Sequence, residues 1–201
     1  MSWIKVINYK EATGRLKKLY DRVKGPDNNV DNVMKAHSLR PHTLAGHMSL
    51  YKAVLHNSNN KLPKWYLETI GLYVSMLNEC SYCVEHHFQG LIRLLDDENR
   101  AQNIRKNLAS GLIDEVLDQK YVSGLKYAQK LSQSPPQSSE ADIKKLKEAG
   151  FTDGQILEIN QVVSYFNYAN RTVLGLGINA KGDILGLSPN ESDDPDDWGH
   201  K

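Results

Sequence analysis

Cysteine is nearly absent from this chain, with two residues in 201. That scarcity excludes a small secreted scaffold held together by disulfides. An excess of charge is absent too. Lys and Arg number 25 against 24 Asp and Glu, a formal net charge of +1. No global field draws the chain to nucleic acid or to anionic lipid, so a function that tracks phosphates is not expected. Long apolar runs are also missing. The charge-free stretches 69–78 and 159–170 fall well short of the ~20 residues a membrane span needs. No alternating strand pattern and no internal repeat is found. The opening Met1–Ile7 segment is too short for an apolar signal core, and a soluble, cytoplasmic protein is the expectation.

What is present is helical periodicity over nearly the whole length. Leu16, Leu19, Tyr20 and Val23 share one face of a first helix within 11–24. A turn-rich Gly25–Asn29 stretch follows. Helices are then expected from Pro41 to about Leu55, from Pro63 to Asn78, from Cys80 to Leu95, over 101–108 and over 116–131. Ser134-Pro135-Pro136 interrupts the chain as a connector. Ser139 with Asp142, and Thr152 with Gln155, read as capping boxes that open the last two helices. The second of these carries Ile156, Ile159, Val163, Phe166 and Val173 inward. The fold class expected is all-α, one helical domain over 1–188. Residues 189–201 form an acidic C-terminal tail with five carboxylates between Glu191 and Asp197, expected to be mobile unless Trp198 docks.

Three features carry chemistry. The helix from Pro63 to Asn78 has no clearly polar side, and Glu68 is the only charge between Trp65 and Asn78. It faces solvent near the helix start, or it is buried and functional, since a buried carboxylate needs a partner. The two cysteines are clustered as Cys80-Ser81-Tyr82-Cys83 at the start of the next helix. Residues three apart on a helix are neighbours, and a helix N-terminus lowers a thiol pKa. His87 lies one turn beyond Cys83 on the same face, whereas His86 is rotated from His87 by about 100° and is expected to point away. Buried, inert cysteines beside a surface histidine are the plain alternative. Zinc is another: Cys80, Cys83 and His87, with Glu68 as a fourth ligand, although three ligands from one helix turn is an uncommon geometry. His37, His42 and His47 are spaced by five, off a common helical face, and are expected at the surface or partly packed. The polar groups of Tyr165–Arg171 are expected to satisfy backbone or helix ends, without a chemical role.

Glu68-x11-Cys80-x2-Cys83-x3-His87 resembles the active-site motif of the AhpD-like alkyl hydroperoxidases of the carboxymuconolactone decarboxylase superfamily. The string Asn78–His87 is most similar to the branch called peroxidase-related proteins. The strict motif spans Glu68 to His87. The wider likeness runs over about 34–178 and includes Arg40-Pro41 and the Phe166-Asn167/Asn170-Arg171 cluster.

The resemblance implies an AhpD-like helical bundle that assembles into homo-oligomers, trimers or hexamers. It implies a thiol peroxidase without cofactor or metal, with Cys83 as the peroxidatic thiolate, Cys80 as the resolving thiol, and His87 with Glu68 as the proton relay. The implied partners are a hydroperoxide substrate and a dithiol protein reductant, with no nucleic acid and no membrane. One departure stands out. The residue before the second cysteine is often a relay histidine in that family and is Tyr82 here, so the proton path is shorter or runs through water or Glu85. The alternatives are a thiol-disulfide oxidoreductase or redox sensor, and a zinc-binding helical module.

Overall fold

The computed structural model describes residues 2–115 and 117–200. Nine α-helices carry these residues: α1 Gly14–Val23, α2 Asn32–Ala36, α3 Pro41–Leu55, α4 Lys64–Leu77, α5 Ser81–Leu95, α6 Glu98–Ala109, α7 Gln119–Gln133, α8 Glu140–Glu148 and α9 Asp153–Gly175. Among the described residues there is no strand, only two isolated bridges in and around the C-terminal segment. No helix is long and apolar enough to cross a membrane. The all-α expectation is met, and all eight expected helices have observed counterparts whose ends differ by only a few residues. The expected helix over 116–131 begins at Gln119, and Val116 lies outside the described residues. The short α2 carries too few residues to show a period, and the sequence reading did not find it.

Helix α4 is the axis of the bundle. Every residue from Tyr66 to Ser75 is buried, and α5, α7 and α9 pack round it. Its lack of a polar face is thereby explained: each side meets another helix. Close approach is bought by small residues. A Cβ on Gly71 would stand 2.1 Å from the Phe166 ring, so α9 lies directly on α4 there. Two hydroxyls inside this core are paired to backbone carbonyls. Tyr66 donates its hydroxyl proton to the Tyr121 carbonyl at 2.8 Å, and Ser75 donates to the Gly71 carbonyl at 2.8 Å. The capping boxes at Ser139/Asp142 and Thr152/Gln155 are present as the sequence reading expects.

Beyond α9 the chain runs irregularly to His200, and it does not trail into solvent. Trp198 is 3% exposed, with the Arg22 guanidinium 3.7 Å from its ring centre. Arg22 also pairs with Asp196 at 2.8 Å. From below, the buried Lys52 donates to the Asn190 carbonyl and to Ser192 Oγ. Asp197 accepts from Asn190 and Ser192, both at 3.0 Å. The tail docks through Trp198, and its acidic residues divide between solvent and these anchors.

Candidate active site

The turn from α4 to α5 sets the position of both cysteines. Glu79 takes a left-handed conformation, φ 55°. Its N–H donates to the Met76 carbonyl and that of Cys80 to the Ser75 carbonyl, the pairing of a Schellman turn. Cys80 thus closes one helix and caps the next. Both cysteines are free thiols and both are buried.

The two sulfurs share hydrogen bonding, and their acidities diverge. Cys80 is brought down to about 7, because the Cys83 thiol and backbone N–H donate to it and the Asn170 amide adds to this against the cost of burial. Cys83 is pushed well above the ordinary thiol range, by that same bond to Cys80 and by burial. The two thiols therefore share one proton and titrate as a pair. Only Cys83 reaches the neighbouring cavity, a space of about 50 Å³, several times what one water requires.

Glu68 is buried, 3% exposed, and its Oε1 lies 3.1 Å from His87 Nδ1. The contact has the length of an ion pair without the alignment of a hydrogen bond, since His87 Nδ1 has no hydrogen-bond partner. Gly90, one turn beyond, leaves room for the carboxylate: a Cβ there would meet Glu68 Oε1 at 2.4 Å. The His87 ring is held edge-on by Phe166 at 4.5 Å between centroids and by Tyr51 at 6.3 Å. Cys83, Glu68 and His87 all line the cavity. The structure therefore brings the four sequence candidates together, with Cys80 behind the wall that the other three form.

Several residues differ from expectation. Glu85 is paired to Arg105, with one oxygen 3.1 Å from its guanidinium, and is not in the cavity lining, so no proton path passes through it. His86 does line the cavity. Measured from Cys83 rather than from His87, the helix places His86 about 60° to one side and His87 about 40° to the other, so they bracket the thiol. His47 is buried in the same wall, held down to about 3 by burial and by His37. Its ring lies 5.1 Å from that of His37 and 5.7 Å from that of Tyr165. His37 precedes α3, so helical spacing never related it to His47. Only His42 is exposed as expected.

Other groups were missed. Asn170 is wholly buried; it donates to Ser75 Oγ at 3.1 Å and accepts from Asn78 at 2.9 Å as well as donating toward both thiols. The sequence reading noted it within the wider likeness but expected no chemical role for it. Asp31 lines the cavity and is pushed up to about 6, chiefly by burial. The C-terminal segment contributes Gly186, Leu187 and His200, with His200 held down to about 4 by burial. Among the described residues no group of three or more His, Cys, Asp or Glu is placed to hold a metal ion. The zinc reading of Cys80, Cys83, His87 and Glu68 therefore has no support in the geometry.

No family model matches the chain, and no curated protein does. Solved structures do. An uncharacterized peroxidase-related protein from Silicibacter sp. TM1040 is 24% identical, with a TM-score of 0.72 over 89% of this chain and 90% of that one. An uncharacterized peroxidase-related protein with an alkylhydroperoxidase AhpD core, from Ralstonia eutropha JMP134, is 22% identical. Its TM-score is 0.78 over 90% of this chain and 93% of the other. The debrominase Bmp8, as a cysteine-to-alanine variant in complex with 2,3,4-tribromopyrrole, is 14% identical, with a TM-score of 0.71 over 89% and 91%. The helix order, the central α4 and these superpositions agree: the chain has the AhpD-like fold of the peroxidase-related proteins.

Proposed function

We propose that the protein is a thiol peroxidase that needs no cofactor, reducing hydrogen peroxide or a small organic hydroperoxide at Cys83. The observation that carries this reading is the placement of Cys83 in the wall of a small, partly enclosed cavity beside a buried carboxylate–imidazole pair, Glu68 and His87. Such a nucleophile–base–orienter set serves to activate a weak nucleophile.

The steps follow from the arrangement. The proton shared by the two sulfurs leaves Cys83, with His87 as its acceptor and Glu68 stabilising the imidazolium. The Cys83 thiolate bonds to the terminal oxygen of the hydroperoxide, and the O–O bond breaks, giving a sulfenic acid and an alcohol or water. Cys80, one turn away and already an acceptor from Cys83, then displaces hydroxide from that sulfur, closing the disulfide, and the hydroxide takes the proton held by His87 and leaves as water. A dithiol protein restores both thiols by exchange and takes the disulfide. Exchange with a partner requires a route to the pair, since Cys80 is fully buried; a role as an open thiol-disulfide exchanger or redox sensor fits that burial less well. Homo-oligomeric assembly and a cytoplasmic location belong to the same proposal.

One equivalent of cumene hydroperoxide added to reduced protein should remove two free thiols per chain. Thiols that survive peroxide but exchange readily with a disulfide dye would favour the oxidoreductase reading. A debrominase shares the fold, so 2,3,4-tribromopyrrole serves as a second substrate. Bromide release without any peroxide reactivity would replace the present reading with a dehalogenating one.

A further inference from the structure

Two histidines, not one, line the cavity with Cys83, one to each side of it round the helix, and each has its own carboxylate. His87 faces Glu68 on α4. His86, on the other side, faces Asp183 from the segment beyond α9, with Nε2 3.6 Å from Oδ2. That separation is too long for a hydrogen bond, and His86 Nε2 is buried without any partner. Asp183 is fixed from several sides. It accepts the Tyr82 hydroxyl proton at 2.8 Å and the Asn32 N–H at 3.0 Å, and its side chain is wholly buried. Tyr82 accepts in turn from the Val33 N–H at 3.3 Å. The His86 ring lies over the Tyr82 ring, centroids 4.5 Å apart. The charged and titratable groups that act on His86 are thus Asp183, Asp31 and His200, with Tyr82 beneath it.

We propose that His86 is a second acid–base residue of this site: it gives the departing oxygen its proton, held in place by Asp183 and Tyr82. The inference rests on the thiol-peroxidase reading. As the Cys83 sulfur bonds to the terminal oxygen, the O–O electron pair departs on the other oxygen. That oxygen would leave as alkoxide or hydroxide, the conjugate base of a very weak acid, into a small cavity of about 50 Å³. A proton from the His86 imidazolium makes it an alcohol or water, and solvent returns the proton to His86. His87 is occupied with the proton of the thiol, so the two transfers use two groups on opposite sides of one sulfur. Asp183 and Tyr82 touch no reacting atom and are positioning residues. Tyr82 thereby acquires a purpose at the position before the second cysteine: it carries no proton to the thiol, and it orients the carboxylate that faces His86.

Leaving-group dependence tests this. Single-turnover oxidation of the reduced full-length protein is measured with hydrogen peroxide, which releases hydroxide, and with peracetic acid, which releases acetate and needs no proton. His86→Gln should slow the first by on the order of 100-fold and the second by less than about threefold. Asp183→Asn should show the same selective loss, smaller in size, and decides the matter if the histidine variant does not fold. Equal losses with both oxidants, or none with either, would overturn the inference while leaving the peroxidase reading intact. Wild-type protein silent toward both oxidants would overturn the peroxidase reading itself, before any variant is made.

Discussion

The Glu68 carboxylate reaches His87, 3.1 Å away, through a gap that exists because residue 90 is glycine. Two variants disturb this contact from opposite sides. Glu68→Gln removes the charge, and Gly90→Ala pushes the carboxylate off its place, overpacking the core by about 1–3 kcal/mol. Both should move the onset of Cys83 alkylation to higher pH, because His87 loses the charge that favours its cationic form. Iodoacetamide alkylation followed across pH for the three proteins is the check. A wild-type profile in Glu68→Gln would remove Glu68 from the relay.

The thiol pair predicts an asymmetric response to mutation. Cys80 sits at about 7 because Cys83 donates to it through both thiol and backbone N–H, with help from Asn170. Cys83→Ala deletes the thiol donor, so the Cys80 pKa should rise toward its ordinary range. Asn170→Ala should raise the pKa of both thiols, since its amide favours both thiolates. The ultraviolet absorbance of the thiolate followed on titration reads each change; an unmoved Cys80 titration in Cys83→Ala would show that the sulfurs do not share their proton.

Much of this was legible in the sequence, and the reasons differ residue by residue. The long helices were readable because their apolar positions recur at three and four, and α4 because an all-round apolar helix must be buried. Glu68, Cys80, Cys83 and His87 were readable because they lie on two consecutive helices joined by a tight turn, where spacing along the chain nearly determines spacing in the fold. His86 was misplaced by measuring its angle from His87 instead of from Cys83. Asp183 and His200 were out of reach. They come to the site on an irregular segment about a hundred residues further on, held by contacts such as Lys52 to Ser192 and Arg22 to Trp198 that no periodicity encodes.

That segment should act as a cover for the cavity. Trp198→Ala removes the ring that Arg22 holds and the indole N–H bond to the Pro195 carbonyl. Local opening should become easier, and Cys83 alkylation by a bulky maleimide should gain on alkylation by iodoacetamide by roughly tenfold, the effect of about 1.4 kcal/mol on an opening equilibrium. An unchanged ratio would mean that reagents enter by another route.

Stability should fall steeply in acid. His47, His56 and His200 are buried with their pKa values held below 6.5, His47 at about 3 and His200 at about 4, mainly by burial. The unfolded chain takes up these protons as pH falls below 6.5 and the folded one does not, so their stability is full above 6.5 and lost below it. Asp31 works the other way. Raised to about 6, it makes the folded state lose ground as pH rises from 3.8 to 6. Three histidines outweigh one carboxyl, so denaturant melts between pH 6.5 and 4 should show a slope above the ~1.4 kcal/mol per pH unit of a single proton. His47→Phe should flatten it; a pH-independent wild type would contradict the buried neutral histidines.

The assignment of Cys83 as the attacking sulfur is tested most directly in the Cys80→Ser variant, which cannot close the disulfide. One equivalent of hydrogen peroxide followed by dimedone and peptide mass spectrometry should place a sulfenic acid adduct on Cys83. Absence of that adduct, together with an adduct on Cys80 in Cys83→Ser, would contradict the account.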